Sequence, residues 1–199
     1  SKIIGIGKNY ADHAAEMKSE LPAEPLMFLK PSTAVIGPGE VITLPNQSSM
    51  VHHEAELAVV IGRFCKDVPR DRVSEVILGF TCANDVSARD VQESDVQWSR
   101  AKGFDTFCPL GPWIETDLDP SDLAVTAYVG DDLRQSGNTK NMIFSAVDLV
   151  SFVSHQMTLL PGDVILTGTP AGVGPIVSGD EVEVAIEGIG SLVNTVQRA

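Results

Sequence analysis

The sequence predicts an α+β protein in which β-structure predominates, a roll of short strands with a few helices packed outside it. Three observations lead there. Residues 51–61 are a strong strand signal, with Val59, Val60 and Ile61 running up to Gly62. Pro161-Gly162-Asp163 and Ser178-Gly179-Asp180 are turn signals, and each introduces a short β-rich run, 164–167 and 181–186. The clearest helical period lies in 145–157, where Ala146, Leu149, Val150, Val153 and Met157 share one side.

The remaining elements follow in order. Residues 2–7 read as a short strand. Residues 9–18 read as a short helix followed by a polar loop through Pro25. Residues 26–29 are apolar and extended, and Pro31 ends them. Gly37-Pro38-Gly39 suggests a turn between two strands within 35–44. Residues 69–78 read as a helix with Val73, Val76 and Ile77 on one side. Residues 79–83 are strand-like and 86–98 fit a polar helix. Ser145 and Asp148 resemble a capping pair, with Asp where Glu or Gln is usual. Gly188 and Gly190 mark a further turn. No linker, low-complexity tract or long charge run divides residues 1–199, which read as one domain.

The bulk properties narrow the function. The chain has 199 residues and a net charge of −13. Nucleic acid and anionic membranes need clustered Lys and Arg, so neither is expected as a partner. No apolar stretch approaches a membrane span. The N-terminus reads as a strand, not as a signal peptide. Cys65, Cys82 and Cys108 are odd in number and widely spaced, which suggests neither a zinc ribbon nor a disulfide scaffold. A reducing cytosol is the expected setting.

The informative segment is Val51-His52-His53-Glu54-Ala55-Glu56-Leu57-Ala58. In a strand, Glu54, Glu56, Ala58 and Val60 share one face, and His53, Ala55, Leu57, Val59 and Ile61 the other. Neither face is freely polar, so both are expected to be covered. Two carboxylates then sit about 7 Å apart in a buried strand. They repel, and removing each from water costs several kcal/mol. A divalent cation would offset this. The bland alternative is that the strand frays at Glu54, so that both carboxylates meet solvent or pair with arginines. A third carboxylate, Asp85, ends the apolar run before it. Three oxygen ligands without Cys point to Mg²⁺ or Mn²⁺. His53-Glu54 lacks the second His that a His-Glu-x-x-His zinc site requires.

Other candidates are weaker on spacing alone. His13 and Glu16 are three apart on a short helix, so a carboxylate could orient an imidazole base there. A solvated helix face explains the same spacing. Arg89 and Gln92 are also three apart, and Lys102 follows. Residues 168–174 are Gly-rich but lack the Gly-Lys-Ser/Thr of a nucleotide loop.

Five motifs, taken together, resemble the fumarylacetoacetate hydrolase family. They are Gly7-Lys8-Asn9-Tyr10-Ala11-Asp12-His13, Phe28-Leu29-Lys30-Pro31-Ser32-Thr33, His53-Glu54-Ala55-Glu56-Leu57, Asn84-Asp85-Val86-Ser87-Ala88-Arg89-Asp90 and Gly168-Thr169-Pro170-Ala171-Gly172-Val173-Gly174. Their order matches the family's. The nearest likeness is to its compact acylpyruvate hydrolase and oxaloacetate decarboxylase branch. The resemblance implies a mixed β-roll, a homodimer, and one Mg²⁺ or Mn²⁺ held by Glu54, Glu56 and Asp85. It implies that His13 and Glu16 activate water on a segment that orders over the substrate. It gives Lys102, Arg89 and Gln92 the task of contacting substrate and stabilising developing negative charge, and gives Thr169 a substrate carboxylate. Larger bacterial members carry an extra N-terminal region, which compact members lack and which this chain is also expected to lack.

The implied activity is carbon–carbon cleavage of a small 2-oxo acid through a pyruvate enolate at the metal. This means acylpyruvate hydrolysis, oxaloacetate decarboxylation, or both. An isomerase of 2-hydroxyhepta-2,4-diene-1,7-dioate, a hydroxymuconate-type diacid, is the alternative within the family. A non-catalytic β-domain that binds a small acid is the alternative outside enzymes.

Overall fold

A strand that is apolar on both faces must be covered twice, and the chain supplies two of them side by side. In the computed structural model, which describes residues 1–16 and 20–199, Ala55–Ile61 is buried at every position. It pairs antiparallel with Ile77–Asn84. These two strands form the centre of a seven-stranded sheet. On one side it continues through Val164–Leu166, Ile3–Gly7 and Leu26–Lys30, and on the other through Cys108–Glu115 and Val35–Ile36. The pairings Ile3–Gly7 with Val164–Leu166 and Val35–Ile36 with Cys108–Glu115 are parallel, so the sheet is mixed.

A five-stranded sheet packs against one face. Its order is Asp132–Asn138, Ala124–Val129, Glu181–Ile186, Gly190–Arg198 and Val41–Leu44. Between the sheets lies the main core. Leu57, Val59 and Ile61 meet Val125, Ala127, Val184 and Ile186, with Leu149, Val150 and Val153 of the helix Ala146–Gln156 closing it. Ala58 belongs to a second cluster on the opposite face, with Ile3, Ala83 and Leu166. The two faces of Ala55–Ile61 thus divide by parity as the sequence predicts, and Glu56 points away from the main core. The chain is mostly β, with few helices and curled sheets.

The predicted continuous strand over 51–61 is broken at Glu54. Val51–His53 leaves the large sheet and pairs with Gly174–Pro175 and Ser87–Ala88 in a three-stranded sheet. Side chains replace the ladder at the break. The Glu54 N–H donates to Asn84 Oδ1 at 2.9 Å, and the Ala55 N–H donates to Gln135 Oε1 at 2.9 Å. The backbone can therefore turn inside the protein without orphaning a donor.

Two helix expectations also change. Residues 69–78 hold only a 3₁₀ turn, Arg70–Glu75, after which Ile77 and Leu78 begin the strand Ile77–Asn84. The apolar period there served a strand, and Gly79 lets it close on Glu115, whose carbonyl a Cβ would strike. Residues 86–98 split into a short strand, Ser87–Ala88, and a helix, Arg89–Ser94; a second helix, Ser99–Gly103, follows. The expected turn in 35–44 forms, but its two strands enter different sheets. The helix over 9–18 is observed as Ala11–Glu16, and residues 17–18 lie outside those described. The Ser145–Asp148 capping box is present with both reciprocal bonds. The strands Cys108–Glu115, Ala124–Val129, Asp132–Asn138 and Gly190–Arg198 had no expectation of their own. Among the described residues no helix is long and apolar enough to cross a membrane.

Candidate metal centre

The break at Glu54 builds the site. Glu54 stands at the corner between two sheets, and Glu56 lies two residues along, on the face turned away from the main core. Asp85 directly follows the neighbouring strand, with its N–H donating to the Glu54 carbonyl at 2.9 Å. All three are buried, and one carboxylate oxygen from each lies within 4.8 Å of the other two. Ligand oxygens around an octahedral Mg²⁺ are about 2.9–4.2 Å apart, given Mg–O bonds of about 2.1 Å. A small contraction brings these three oxygens onto one ion.

Basic side chains share the electrostatic load, which the metal reading of the sequence assigned to a divalent cation. Arg89 Nη2 lies 2.5 Å from Glu54 Oε1, and Lys102 Nζ bridges Glu54 Oε2 at 2.8 Å and Asp85 Oδ2 at 2.7 Å. Lys30 Nζ holds Asp85 Oδ1 at 2.5 Å. The bland alternative therefore holds at Glu54, where the strand breaks and Arg89 pairs with the carboxylate, and not at Glu56. The basic side chains are distributed unevenly. Among the described residues no Lys or Arg pairs with Glu56, whose Oε2 accepts only the Gly168 N–H, at 2.7 Å. Burial, Asp85 and Glu54 push the Glu56 carboxyl well above the ordinary range. Burial acts upward on Glu54 too, but Lys102 and Arg89 hold that carboxyl well below it. A hard cation fits this donor set best where Glu56 lacks a partner. Gly168 reaches Glu56 from a positive φ of 94°, and a Cβ there would lie 2.6 Å from Asn9 Cβ.

The other expected residues gather around the same cavity, of about 240 Å³, whose lining includes His13, Arg89, Gln92, Lys102 and Thr169 with the triad. The His13 ring is buried, with Nδ1 3.3 Å from Glu16 Oε2. Glu16 also accepts the Gly172 N–H at 3.2 Å, tying its short helix to the Gly-rich loop. Arg89 Nη1 donates to Gln92 Oε1 at 2.8 Å. Thr169 stands apart in one respect. Its hydroxyl donates to the Ala55 carbonyl at 2.8 Å and accepts from Gln135 Nε2 at 2.7 Å. Its one proton is thus turned to the protein in this arrangement and not to the cavity. The loop's N–H groups at Gly168 and Gly172 likewise hold Glu56 and Glu16. Cys65, Cys82 and Cys108 are free and buried, and none of them lines this cavity.

The sequence pattern described as Fumarylacetoacetate (FAA) hydrolase C-terminal matches residues 2–197. The chain belongs to the fumarylacetoacetate hydrolase family. Members of the family are enzymes with hydrolase, isomerase and tautomerase activities. A solved 5-carboxymethyl-2-hydroxymuconate delta-isomerase from Mycobacterium smegmatis is 59% identical, with a TM-score of 0.94, and the match covers 100% of this chain and 79% of that one. The mitochondrial oxaloacetate tautomerase of Bos taurus is 42% identical over 202 residues, 98% of this chain and 91% of the relative. A fumarylpyruvate hydrolase from Pseudomonas aeruginosa, solved in complex with Mn²⁺ and pyruvate, is 31% identical with a TM-score of 0.94, covering 100% of this chain and 90% of that one.

Within this family site, four residues escaped the sequence argument. Lys30 carried a signal, a lysine ending an apolar strand just before a proline, and its side chain is fully buried against Asp85. Phe28, in the same motif, and Trp98 line the cavity. Gln135 lies in a strand from the other sheet, and nothing local distinguishes it from a surface glutamine.

Proposed function

We propose that this chain catalyses metal-dependent carbon–carbon cleavage of a small 2-oxo acid, with acylpyruvate hydrolysis as the primary reaction and oxaloacetate decarboxylation at the same site. The carrying observation is that His13, whose ring Glu16 engages, lines one cavity with the Glu54–Glu56–Asp85 triad. Glu54, Glu56 and Asp85 would hold Mg²⁺ or Mn²⁺, which when bound supplies positive charge to the 1-carboxylate and 2-oxo oxygens of the substrate. Glu16 engages His13 Nδ1 and so leaves Nε2 to take a proton from water. That water attacks the distal carbonyl, the C3–C4 bond breaks, and its electron pair passes to the pyruvyl half. Because Gln92 Oε1 is occupied by Arg89, the Gln92 amide N–H₂ is the group free to donate to substrate. Lys102 brings fixed positive charge to the inner end of the cavity, where negative charge develops.

Proton transfer without cleavage is the second reading, supported by the isomerase and tautomerase names of the 59% and 42% identical relatives. His13 separates the two. His13→Ala is expected to lower acylpyruvate hydrolysis about 10²–10⁴-fold and to leave tautomerisation or isomerisation partly active. The assay is purified protein with Mg²⁺ against acetylpyruvate, oxaloacetate and a hydroxymuconate diacid. Absent hydrolysis in the unaltered protein, or full hydrolysis in the variant, sinks the first reading. The same resemblance supports a homodimer, which a monomeric mass in light scattering would reject.

A further inference from the structure

The cavity has two unlike halves. Its polar half holds the triad, Lys102, Arg89 and Gln92, and its other half is lined by Ile6, Gly7, Phe28 and Trp98. Phe28 and Trp98 meet edge to face, with ring centroids 5.6 Å apart. Lys102 Nζ stands 5.0 Å from the Phe28 centroid, so the aromatic pair begins where the polar half ends.

The backbone is cut back to seat these rings. A Cβ on Gly5 would collide with the Phe28 ring, and one on Gly7 would lie 2.9 Å from the Trp98 ring. Charge is meanwhile scarce in this half. Arg89 and Lys102 are both engaged by the triad's carboxylates. Among the described residues, the lining cation without an acid partner is the partly exposed Lys8, and the exposed Glu93 lines the same cavity. A carboxylate laid against the rings would lose its water and meet no buried cation that lacks an acid partner already, Lys8 being partly exposed. A flat apolar group there would instead trade water for aromatic contact.

We propose that Phe28 and Trp98 receive the part of the substrate beyond C4 and select aryl or conjugated apolar acyl groups over carboxylate-ended ones. This rests on the reading of the polar half as a 2-oxo acid site. Among acylpyruvates, it narrows the substrates to those whose acyl group ends in hydrocarbon.

Calorimetry on the Mg²⁺-saturated full chain tests it with three probes that cannot be cleaved at C3–C4: oxalate, 2-oxoglutarate and 2-oxo-4-phenylbutanoate. The phenyl compound is expected to bind at least about tenfold more tightly than 2-oxoglutarate. Trp98→Ala is expected to bring that ratio near one. Trp98→Leu, which keeps an apolar side chain and serves where the alanine variant does not fold, is expected to reduce it severalfold. Equal or tighter binding of 2-oxoglutarate overturns the selectivity, as does a ratio that neither Trp98 variant changes. Oxalate distinguishes the two levels of the argument. If oxalate binds and the ratio is flat, the aromatic assignment alone falls. If oxalate does not bind, the 2-oxo acid reading falls and takes the selectivity with it.

Discussion

Glu56 is the residue on which the metal argument turns, because it is buried among like charges with one backbone N–H for company. Its folded carboxyl titrates well above its ordinary range through burial, Asp85 and Glu54. The ionised form therefore works against folding, and this penalty grows as pH rises from the unfolded pKa toward the folded one. Glu56→Gln is accordingly expected to raise the melting temperature of the metal-free protein at neutral pH. The same change removes a ligand, so stabilisation by Mg²⁺ should vanish. In the unaltered protein, a metal concentration a hundredfold above Kd stabilises by about 2.7 kcal/mol. Thermal unfolding with Mg²⁺ and with chelator reads both effects. A Glu56→Gln protein that Mg²⁺ still stabilises fully would remove Glu56 from the ligand set.

The helix Arg89–Ser94 shows how an element too short to be stable alone can hold two site residues in place. It has no side-chain cap at Ala88. Asp90 in its first turn anchors it instead, accepting from Ser48 Oγ at 2.6 Å, the Ser49 N–H at 2.8 Å and Ser49 Oγ at 3.0 Å. Slight burial pushes the Asp90 carboxyl up, but the bonds from Ser48, Ser49 and Val91 bring it down to about 2. A depressed carboxylate gives stability that is present above its unfolded pKa and lost as pH falls through the folded one. Asp90→Asn is expected to cost about 1 kcal/mol at pH 7. The gap to the unaltered protein should close as pH falls from the ordinary carboxyl value of 3.8 to about 2. Urea unfolding at several pH values measures it, and a gap that persists at the acid end would reject the anchor. Arg89 and Gln92 ride on this helix, so the variant should also weaken substrate binding.

At the scale of the molecule, the five-stranded sheet reaches the site through one side chain. Gln135 is fully buried and makes four bonds. Its Oε1 accepts from the Ala55 N–H at 2.9 Å and faces His53 Nδ1 at 3.2 Å, while its Nε2 donates to Thr169 Oγ1 at 2.7 Å and the Pro170 carbonyl at 2.8 Å. The strand that carries Glu56 and the loop that carries Thr169 are thus clamped together from the opposite sheet. Gln135→Leu leaves several buried polar groups without partners, each costing about 1–3 kcal/mol. A loss of roughly 3 kcal/mol or more in chemical denaturation is expected, together with lower affinity for Mg²⁺ through the displaced Gly168 N–H. An unchanged unfolding midpoint would show that water replaces the clamp.

Local sequence was enough to read that β-structure dominates, which faces of 55–61 are which, where the long helix starts, and that three acids collect. Those features follow from local spacing and from the cost of burying like charges, and both are written in short windows of sequence. The end of the strand at Glu54 and the conversion of 69–78 from helix to turn plus strand needed the tertiary structure. So did the pairing of Lys30 with Asp85 and the arrival of Gln135 from a strand 80 residues further along than Ala55. Each depends on which distant group supplies the missing hydrogen bond or countercharge, and a window of sequence holds no record of its neighbours in space. The same physics explains why the triad was legible while the pairing of Lys30, Arg89 and Lys102 with it was not. A buried acid is conspicuous in an apolar strand, whereas a basic residue on a distant element shows its purpose only when the fold brings it there.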